Sequence, residues 1–249
     1  MEGAVHVVPG RVAAASATSL TASILSNMRR TVLHHVVLVA ALAGTAHSQS
    51  ATVAKIPFEP EILAFEAADR ASPPPMGGVV FTGSSSFRLW TNVAADFPGV
   101  PLLNRGFGGS ILPEVVQLAP RLVLKYRPHL VLLYAGDNDI NAGRTPTDVL
   151  NDYRTFASTV HSALPTARIA FVSIKPSPSR WALVDRMREA NRLVQQEISR
   201  DTLATYVDVF TPMIGADGRP RAELFGPDSL HMTRAGYLIW RAKLAPIVH

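Results

Sequence analysis

Four short polar runs of this sequence carry the residue types needed for nucleophilic chemistry at a carbonyl carbon. The turn Gly83-Ser-Ser-Ser86 offers hydroxyl groups, and near the C-terminus Asp228 precedes His231 by three residues. The glycine-rich run 104–110 and the run 134–139 add flexible backbone and an asparagine amide. Together they hold a hydroxyl, a base, an orienting carboxylate and donors for a developing oxyanion. One run alone is weak evidence, but four in this order indicate a histidine-activated serine.

The spacing of Asp228 and His231 suits a base and the group that orients it. One turn of chain can bring the carboxylate to one ring nitrogen of the histidine and leave the other free to take a proton from a serine. In isolation this spacing is more often a surface turn. Because position 87 is Phe, the serines do not form the Gly-x-Ser-x-Gly nucleophile elbow of another hydrolase fold.

Short apolar runs alternate with helical patterns along the chain after residue 50, which indicates a parallel sheet covered on both faces. The sequence therefore predicts an α/β fold, a three-layer sandwich with a roughly five-stranded parallel sheet. The predicted strands are Val79–Thr82, Pro101–Asn104, Leu130–Tyr134, Arg168–Ile174 and Thr205–Val209. The predicted helices are Pro57–Asp69, Phe87–Asp96, Pro113–Tyr126, Thr147–Leu164, Trp181–Arg200 and Thr233–Leu244, with Pro120 expected to kink or split the third.

The topology of such a sheet gathers residues that are distant along the chain. Ligands of open parallel sheets bind beyond the carboxyl ends of the strands. Three of the polar runs directly follow predicted strands, and Asp228 and His231 precede the last predicted helix. We therefore expect the four runs to lie at one edge of the sheet.

Composition excludes several classes of protein. The chain has 249 residues, a formal net charge of +5 and no cysteine. The absence of cysteine excludes disulfides, thiolate metal sites and a cysteine nucleophile. Basic residues are scattered and not interleaved with aromatic ones, so no nucleic-acid partner is expected.

The N-terminal residues resemble a targeting signal. Met28-Arg-Arg30 is a short positive segment, residues 36–43 are nearly all apolar, and Ala46 to Ser48 can form a cleavage site. We predict a leader and signal peptide over residues 1–48, with Met28 as the possible true start, and a single domain over 49–249. The protein is then exported, with no integral membrane span after cleavage, because the apolar stretch is too short to cross a bilayer permanently. A disordered leader or a retained membrane-associated helix is the alternative.

From about Pro57 to the C-terminus the sequence resembles the GDSL esterase/lipase family, the SGNH hydrolases, through the four runs quoted above. The resemblance implies a flavodoxin-like SGNH hydrolase fold with Ser85 as nucleophile, His231 as general base and Asp228 as its carboxylate. It also implies an oxyanion hole formed by Ser85, Gly109 and Asn138. The sequence departs from the family at Ser84, where the family name implies Asp. No cofactor or metal is implied.

Several residues near these runs are candidate pocket residues. The segment 173–181 follows the fourth predicted strand and should border the site, which makes Arg180 and Trp181 possible substrate-pocket residues, and Arg105 is a further candidate because it lies within the second polar run. The alternative is that they brace loops or pack. Trp90 and Trp240 lie on apolar helix faces and are expected in the core.

The predicted function is an exported serine ester hydrolase acting on a small-molecule, glycan or lipid ester. Acyl transfer in the same site and a non-catalytic glycan- or lipid-binding protein on a hydrolase scaffold are the alternatives. No long apolar lid segment is visible in the sequence, which favours short acyl chains. The sequence does not determine the oligomeric state.

Overall fold

Residues 58–248, which a computed structural model describes, are built around one parallel sheet. Its five strands are β1 (Val79–Gly83), β2 (Leu102–Gly106), β3 (Leu130–Tyr134), β4 (Arg168–Val172) and β5 (Ala204–Val207). They lie in the order β2-β1-β3-β4-β5, and all neighbouring pairs are parallel. This is the strand order of flavodoxin-like sheets. The predicted α/β three-layer fold is confirmed.

Helices cover both faces of the sheet. One face packs on α1 (Glu59–Ala71), α4 (Leu112–Leu122), α6 (Pro146–Ala163) and α7 (Val184–Ile198). The other face packs on α2 (Ser85–Arg88), α3 (Val93–Asp96) and α8 (Arg234–Leu244). The remaining helix, α5 (Asp137–Asn141), follows β3. Alternate residues of each strand enter the two core clusters, so all of β1 and β3 is buried.

The core cluster on the face covered by α2, α3 and α8 is rich in aromatic side chains. Trp90 and Trp240 are 1% and 0% exposed, as the sequence predicts. Their rings pack against each other with centroids 6.2 Å apart, close to the edge-to-face arrangement that aromatic pairs prefer. This packing attaches α8, which follows the turn of Asp228 and His231, to the segment that follows β1.

One predicted helix is broken in the structure, one is split as expected, and one short helix was not predicted. The expected helix Phe87–Asp96 is two short helices, because residues 89–92 leave the helical path between α2 and α3. Helix α4 ends at Leu122, two residues after Pro120, and a 3₁₀ turn over Leu124–Tyr126 follows it, so the expected split of this helix near Pro120 is confirmed. Helix α5 was not expected. It begins after Gly136, whose φ of 116° suits glycine because it has no Cβ.

The sheet explains why residues distant in sequence meet. The loops after β1, β2, β3 and β4 all leave the carboxyl edge, and β1 lies between β2 and β3. At the end of β1, a Cβ on Gly83 would lie 1.9 Å from the carbonyl oxygen of Tyr134 on β3, and φ of Gly83 is 124°. Only glycine fits this junction, which sets the start of the serine turn.

The predicted signal segment and the proposed boundary at residue 48 lie outside the described residues. Within 58–248, no helix is both long and apolar enough to cross a membrane.

Candidate active site

Ser85 is the first residue of α2, directly after the turn that ends β1. Its backbone N–H has no intrahelical acceptor, because the first N–H groups of a helix point out of its end. The residue is 8% exposed, and its Oγ lies 2.9 Å from Nε2 of His231. The serine hydroxyl is therefore buried but in hydrogen-bond contact with a base 146 residues away in sequence.

Asp228 and His231 lie in one tight turn between a 3₁₀ turn over Ala222–Leu224 and α8. Gly226 donates its N–H to the carbonyl oxygen of His231 at 2.8 Å, and Ser229 takes a left-handed φ of 55°. Phe225 and Met232 form an antiparallel bridge that closes the turn. The turn thereby fixes the ring of His231 over the serine.

The carboxylate of Asp228 is held in its ionised form by hydrogen bonds. Its Oδ1 accepts the backbone N–H of Leu230 at 3.0 Å and that of His231 at 2.9 Å, and its Oδ2 lies 2.6 Å from Nδ1 of His231. The bond from the Leu230 N–H, followed by those from His231, lowers the pKa of Asp228 to about 2. The ring nitrogen that faces Asp228 is the one that faces away from Ser85. The sequence-predicted Ser85, His231 and Asp228 thus form one continuous chain of contacts.

Gly109 and Asn138 lie beside each other at the edge of this site. The side-chain amide of Asn138 donates from Nδ2 to the carbonyl oxygen of Ser110 at 3.1 Å. The same Nδ2 is 3.8 Å from the place where a Cβ on Gly109 would lie. Gly109 is exposed, and its N–H makes no hydrogen bond to any residue between 58 and 248. An unused backbone N–H and a second proton on the amide are therefore available to an oxyanion.

Two carboxylates flank Asn138 and brace the loops around it. Oδ1 of the fully buried Asp139 accepts the N–H of Leu112 at 2.9 Å, which joins α5 to the start of α4. Burial raises the pKa of Asp139 to about 6. Asp137, 5% exposed, lies 3.3 Å from Nζ of Lys175 and 3.2 Å from Nη1 of Arg180.

Lys175 is a site-bordering residue that the sequence reasoning did not single out. Its side chain is 1% exposed. Burial lowers its pKa, and the neighbouring Asp137 acts against that change. The available signal was a lysine directly after an apolar strand, within the segment 173–181 that was already expected to border the site.

Arg105, the first of the three expected pocket residues, is engaged in contacts within the fold. Arg105 was expected in the substrate pocket, and this expectation is corrected. Its side chain is 9% exposed, and it donates to the Tyr126 hydroxyl at 2.7 Å, the Asn104 carbonyl at 3.1 Å and Asp69 at 2.5 Å. With its donors used in this way, it braces β2 against α1.

Trp181 and Arg180 lie on the loop after β4, in a 3₁₀ segment over Pro178–Leu183. The ring of Trp181 packs under two guanidinium groups, Arg188 at 5.5 Å and Arg219 at 5.3 Å. Arg180 instead faces Asp137. The structure therefore places Arg180 against the Asn138 loop, whereas the ring of Trp181 is engaged with these two arginines.

Ser84 is the position at which the chain departs from the GDSL pattern. The residue is fully buried, and its backbone N–H donates to the carbonyl oxygen of Tyr134 at 2.9 Å. Its side chain is not part of the chain of contacts from Ser85 to Asp228. Among residues 58–248, no group of three histidine, aspartate or glutamate side chains is arranged to hold a metal ion.

Comparison with known sequences decides the family. The sequence model of the GDSL-like Lipase/Acylhydrolase family matches residues 75–239, which include all four polar runs. The chain belongs to this family. A search of curated proteins found no sequence relative.

Solved structures share the fold of this GDSL-family chain. A protein from Streptococcus pneumonia, provisionally assigned as a platelet activating factor, has a TM-score of 0.69 at 19% identity, covering 77% of this chain and 93% of its own. A GDSL-like lipase from Bacteroides thetaiotaomicron has a TM-score of 0.64 at 18% identity, covering 75% and 96%. A carbohydrate esterase of family 3 from Talaromyces cellulolyticus has 0.54 at 15%, covering 69% and 95%.

Proposed function

We propose that this member of the GDSL-like family hydrolyses carboxylic esters through an acyl-enzyme on Ser85. The observation that carries the proposal is the chain of contacts from Ser85 Oγ to His231 Nε2 at 2.9 Å and from His231 Nδ1 to Asp228 Oδ2 at 2.6 Å. A serine hydroxyl, an imidazole and an ionised carboxylate in this order form the arrangement that activates serine for acyl transfer.

In the first half of the reaction, Ser85 Oγ attacks the ester carbonyl while its proton passes to Nε2 of His231. The imidazolium that forms is stabilised by Asp228, which remains ionised at neutral pH because its pKa is about 2. The tetrahedral intermediate then collapses, His231 returns the proton to the leaving alcohol, and the acyl group stays on Ser85.

The negative charge on the tetrahedral oxygen requires donors that are already in place. The N–H groups of Ser85 and Gly109 and the amide of Asn138 supply them in this proposal. In the second half, water loses a proton to His231 and attacks the acyl-enzyme. Ser85 regains its proton as the carboxylic acid leaves.

Solvent access favours hydrolysis over acyl transfer to another alcohol. The side chains of His231 and Asp228 are 29% and 51% exposed, so water reaches the base directly. Acyl transfer to a sugar or lipid hydroxyl in the same site is the second candidate. The exposed Gly109 leaves room for a bound acyl group to approach the chain.

Turnover of a chromogenic short-chain ester by the purified protein tests the proposal. We expect release of one acid per alcohol, a loss of turnover in Ser85→Ala, and substantial activity in Ser84→Ala, which removes a neighbouring hydroxyl outside the contact chain. Product analysis with an added alcohol distinguishes hydrolysis from transfer. A folded protein that binds esters or glycans but turns over none would support the binding-protein alternative and contradict the proposal.

A further inference from the structure

The loop that carries Arg180 joins the two halves of the candidate site. Ser179 donates its backbone N–H to the carbonyl oxygen of Ser229 at 3.1 Å, two residues before His231. At Arg180 the backbone departs from helical geometry, with φ −114° and ψ 19°. Its Nη1 then lies 3.2 Å from Oδ2 of Asp137, the residue before Asn138. Arg180 therefore lies between the turn of the base and the loop of the amide.

The guanidinium of Arg180 is confined but its donors are unused. The side chain is 12% exposed, and Nη1 is closed off from solvent without a hydrogen-bond partner. Within residues 58–248, Arg180 has the ion contact with Asp137 but donates no hydrogen bond from its side chain. Arg105 has a similarly buried side chain and donates to three partners. A guanidinium carries five N–H groups, and leaving those of the closed-off Nη1 without an acceptor is unfavourable.

Arg180, Lys175 and Asp137 form a cluster in which positive charges outnumber negative ones. The ammonium of Lys175, 1% exposed, lies 3.3 Å from the same oxygen of Asp137 that Arg180 approaches. One carboxylate thus faces two cations. The nearby Asp228 already accepts three hydrogen bonds inside its own turn, and Asp139 faces Arg144 at 3.5 Å. The cluster is therefore suited to a further negative group.

We infer that Arg180 binds an anionic group on the alcohol portion of the ester substrate, an inference that rests on the hydrolase function proposed above. A guanidinium with free N–H groups binds carboxylate, phosphate or sulfate oxygens in pairs. We assign the anionic group to the alcohol portion because His231 gives its proton to the leaving alcohol. His231 also lies on the turn that is hydrogen-bonded to the loop of Arg180. Lys175 supports the site because its ammonium pairs with the same carboxylate of Asp137. The positive charge of Arg180 is therefore not fully neutralised by Asp137.

A matched pair of substrates tests this inference with the intact protein. The acetyl esters of 4-hydroxybenzoate and 4-hydroxybenzamide have the same acyl group and differ by one charge on the alcohol. After normalisation to their rates of alkaline hydrolysis, we expect kcat/KM to favour the carboxylate by on the order of tenfold. Arg180→Met should abolish the preference mainly by raising KM for the anionic ester. Arg180→Lys should retain part of it, because the charge remains without the paired donors.

Arg192→Met is the matched control, because it removes an exposed arginine of α7 that pairs with Glu189. It should keep the preference. Equal slowing of both esters in Arg180→Met, or no preference in the unmodified protein, would overturn the inference. Turnover of the neutral 4-nitrophenyl acetate separates this result from failure of the proposed function, which loss of turnover on all three esters would show.

Binding provides a measurement that does not depend on turnover. In Ser85→Ala, calorimetry with the two product alcohols should show tighter binding of 4-hydroxybenzoate than of 4-hydroxybenzamide. The double variant with Arg180→Met should bind them equally. Equal binding already in Ser85→Ala would contradict the inference.

Discussion

Replacement of Asn138 by alanine removes one proposed oxyanion donor with little other change. The amide is half-buried and donates to the Ser110 carbonyl at 3.1 Å, so its loss should lower the free energy of unfolding by only about 1 kcal/mol. In the proposed transition state the second amide proton faces the oxyanion, and removal of such a donor costs about 2.7–4 kcal/mol. We therefore expect kcat to fall by about 10²–10³-fold, whereas KM changes little, because the donor acts mainly on the transition state.

The assay for this variant is steady-state kinetics on a short-chain 4-nitrophenyl ester, together with denaturant unfolding. Asn151→Ala removes the same atoms from an exposed position of α6 and is the matched control, with kcat expected to be almost unchanged. A fall in kcat of less than about tenfold in folded Asn138→Ala would refute the oxyanion assignment. A rise in KM as large as the fall in kcat would instead show ground-state binding.

Three further predictions concern the oxyanion loop, a buried carboxyl and export. Gly109→Ala should fold normally, since the added Cβ meets only Nδ2 of Asn138 at 3.8 Å, but should lower kcat/KM by crowding the acyl group; unchanged kinetics would contradict the placement of the oxyanion there. Burial raises the pKa of Asp139 from 3.8 to about 6, so the folded state binds the extra proton and this group's contribution to stability falls as pH rises from about 4 through 6. Asp139→Asn should therefore gain about 2 kcal/mol relative to the parent between pH 4 and 7 in denaturant unfolding, and an equal difference at both pH values would contradict this reasoning. Expression of the full chain in a bacterium should give exported protein beginning near residue 49, as N-terminal sequencing would show, and a cytoplasmic protein that begins before Met28 would contradict export.

The sheet could be predicted from the sequence because buried parallel strands are continuous apolar runs. β1 and β3 are buried at every position, and their runs of Val, Leu and Phe leave little ambiguity. The meeting of Ser85 with His231 also followed from the sequence, since the topology gathers the loops at one edge. The catalytic roles of these residues and the domain boundary remain predictions.

Details that depend on tertiary contacts could not be predicted. The break between α2 and α3 places Trp90 in the aromatic cluster, with its Nε1 donating to the buried Asp96 at 2.6 Å, and no local pattern marks it. Arg105 was a candidate pocket residue because it lies within the second polar run, but it is part of β2, and its partners Asp69 and Tyr126 lie on distant elements. The buried contact of Lys175 with Asp137 joins residues 38 positions apart, and no repeating pattern in the sequence predicts it.

The central claim is that Ser85 is the nucleophile, and covalent labelling tests it most directly. Only one of the three adjacent serines has its Oγ within 2.9 Å of His231 Nε2. Mass spectrometry of peptides from protein treated with a serine-directed phosphonate should find one adduct, on Ser85. The adduct should be absent in Ser85→Ala and strongly reduced in His231→Ala, because nucleophile and base act as a unit. An adduct on Ser84, Ser86 or Ser110 would contradict the account.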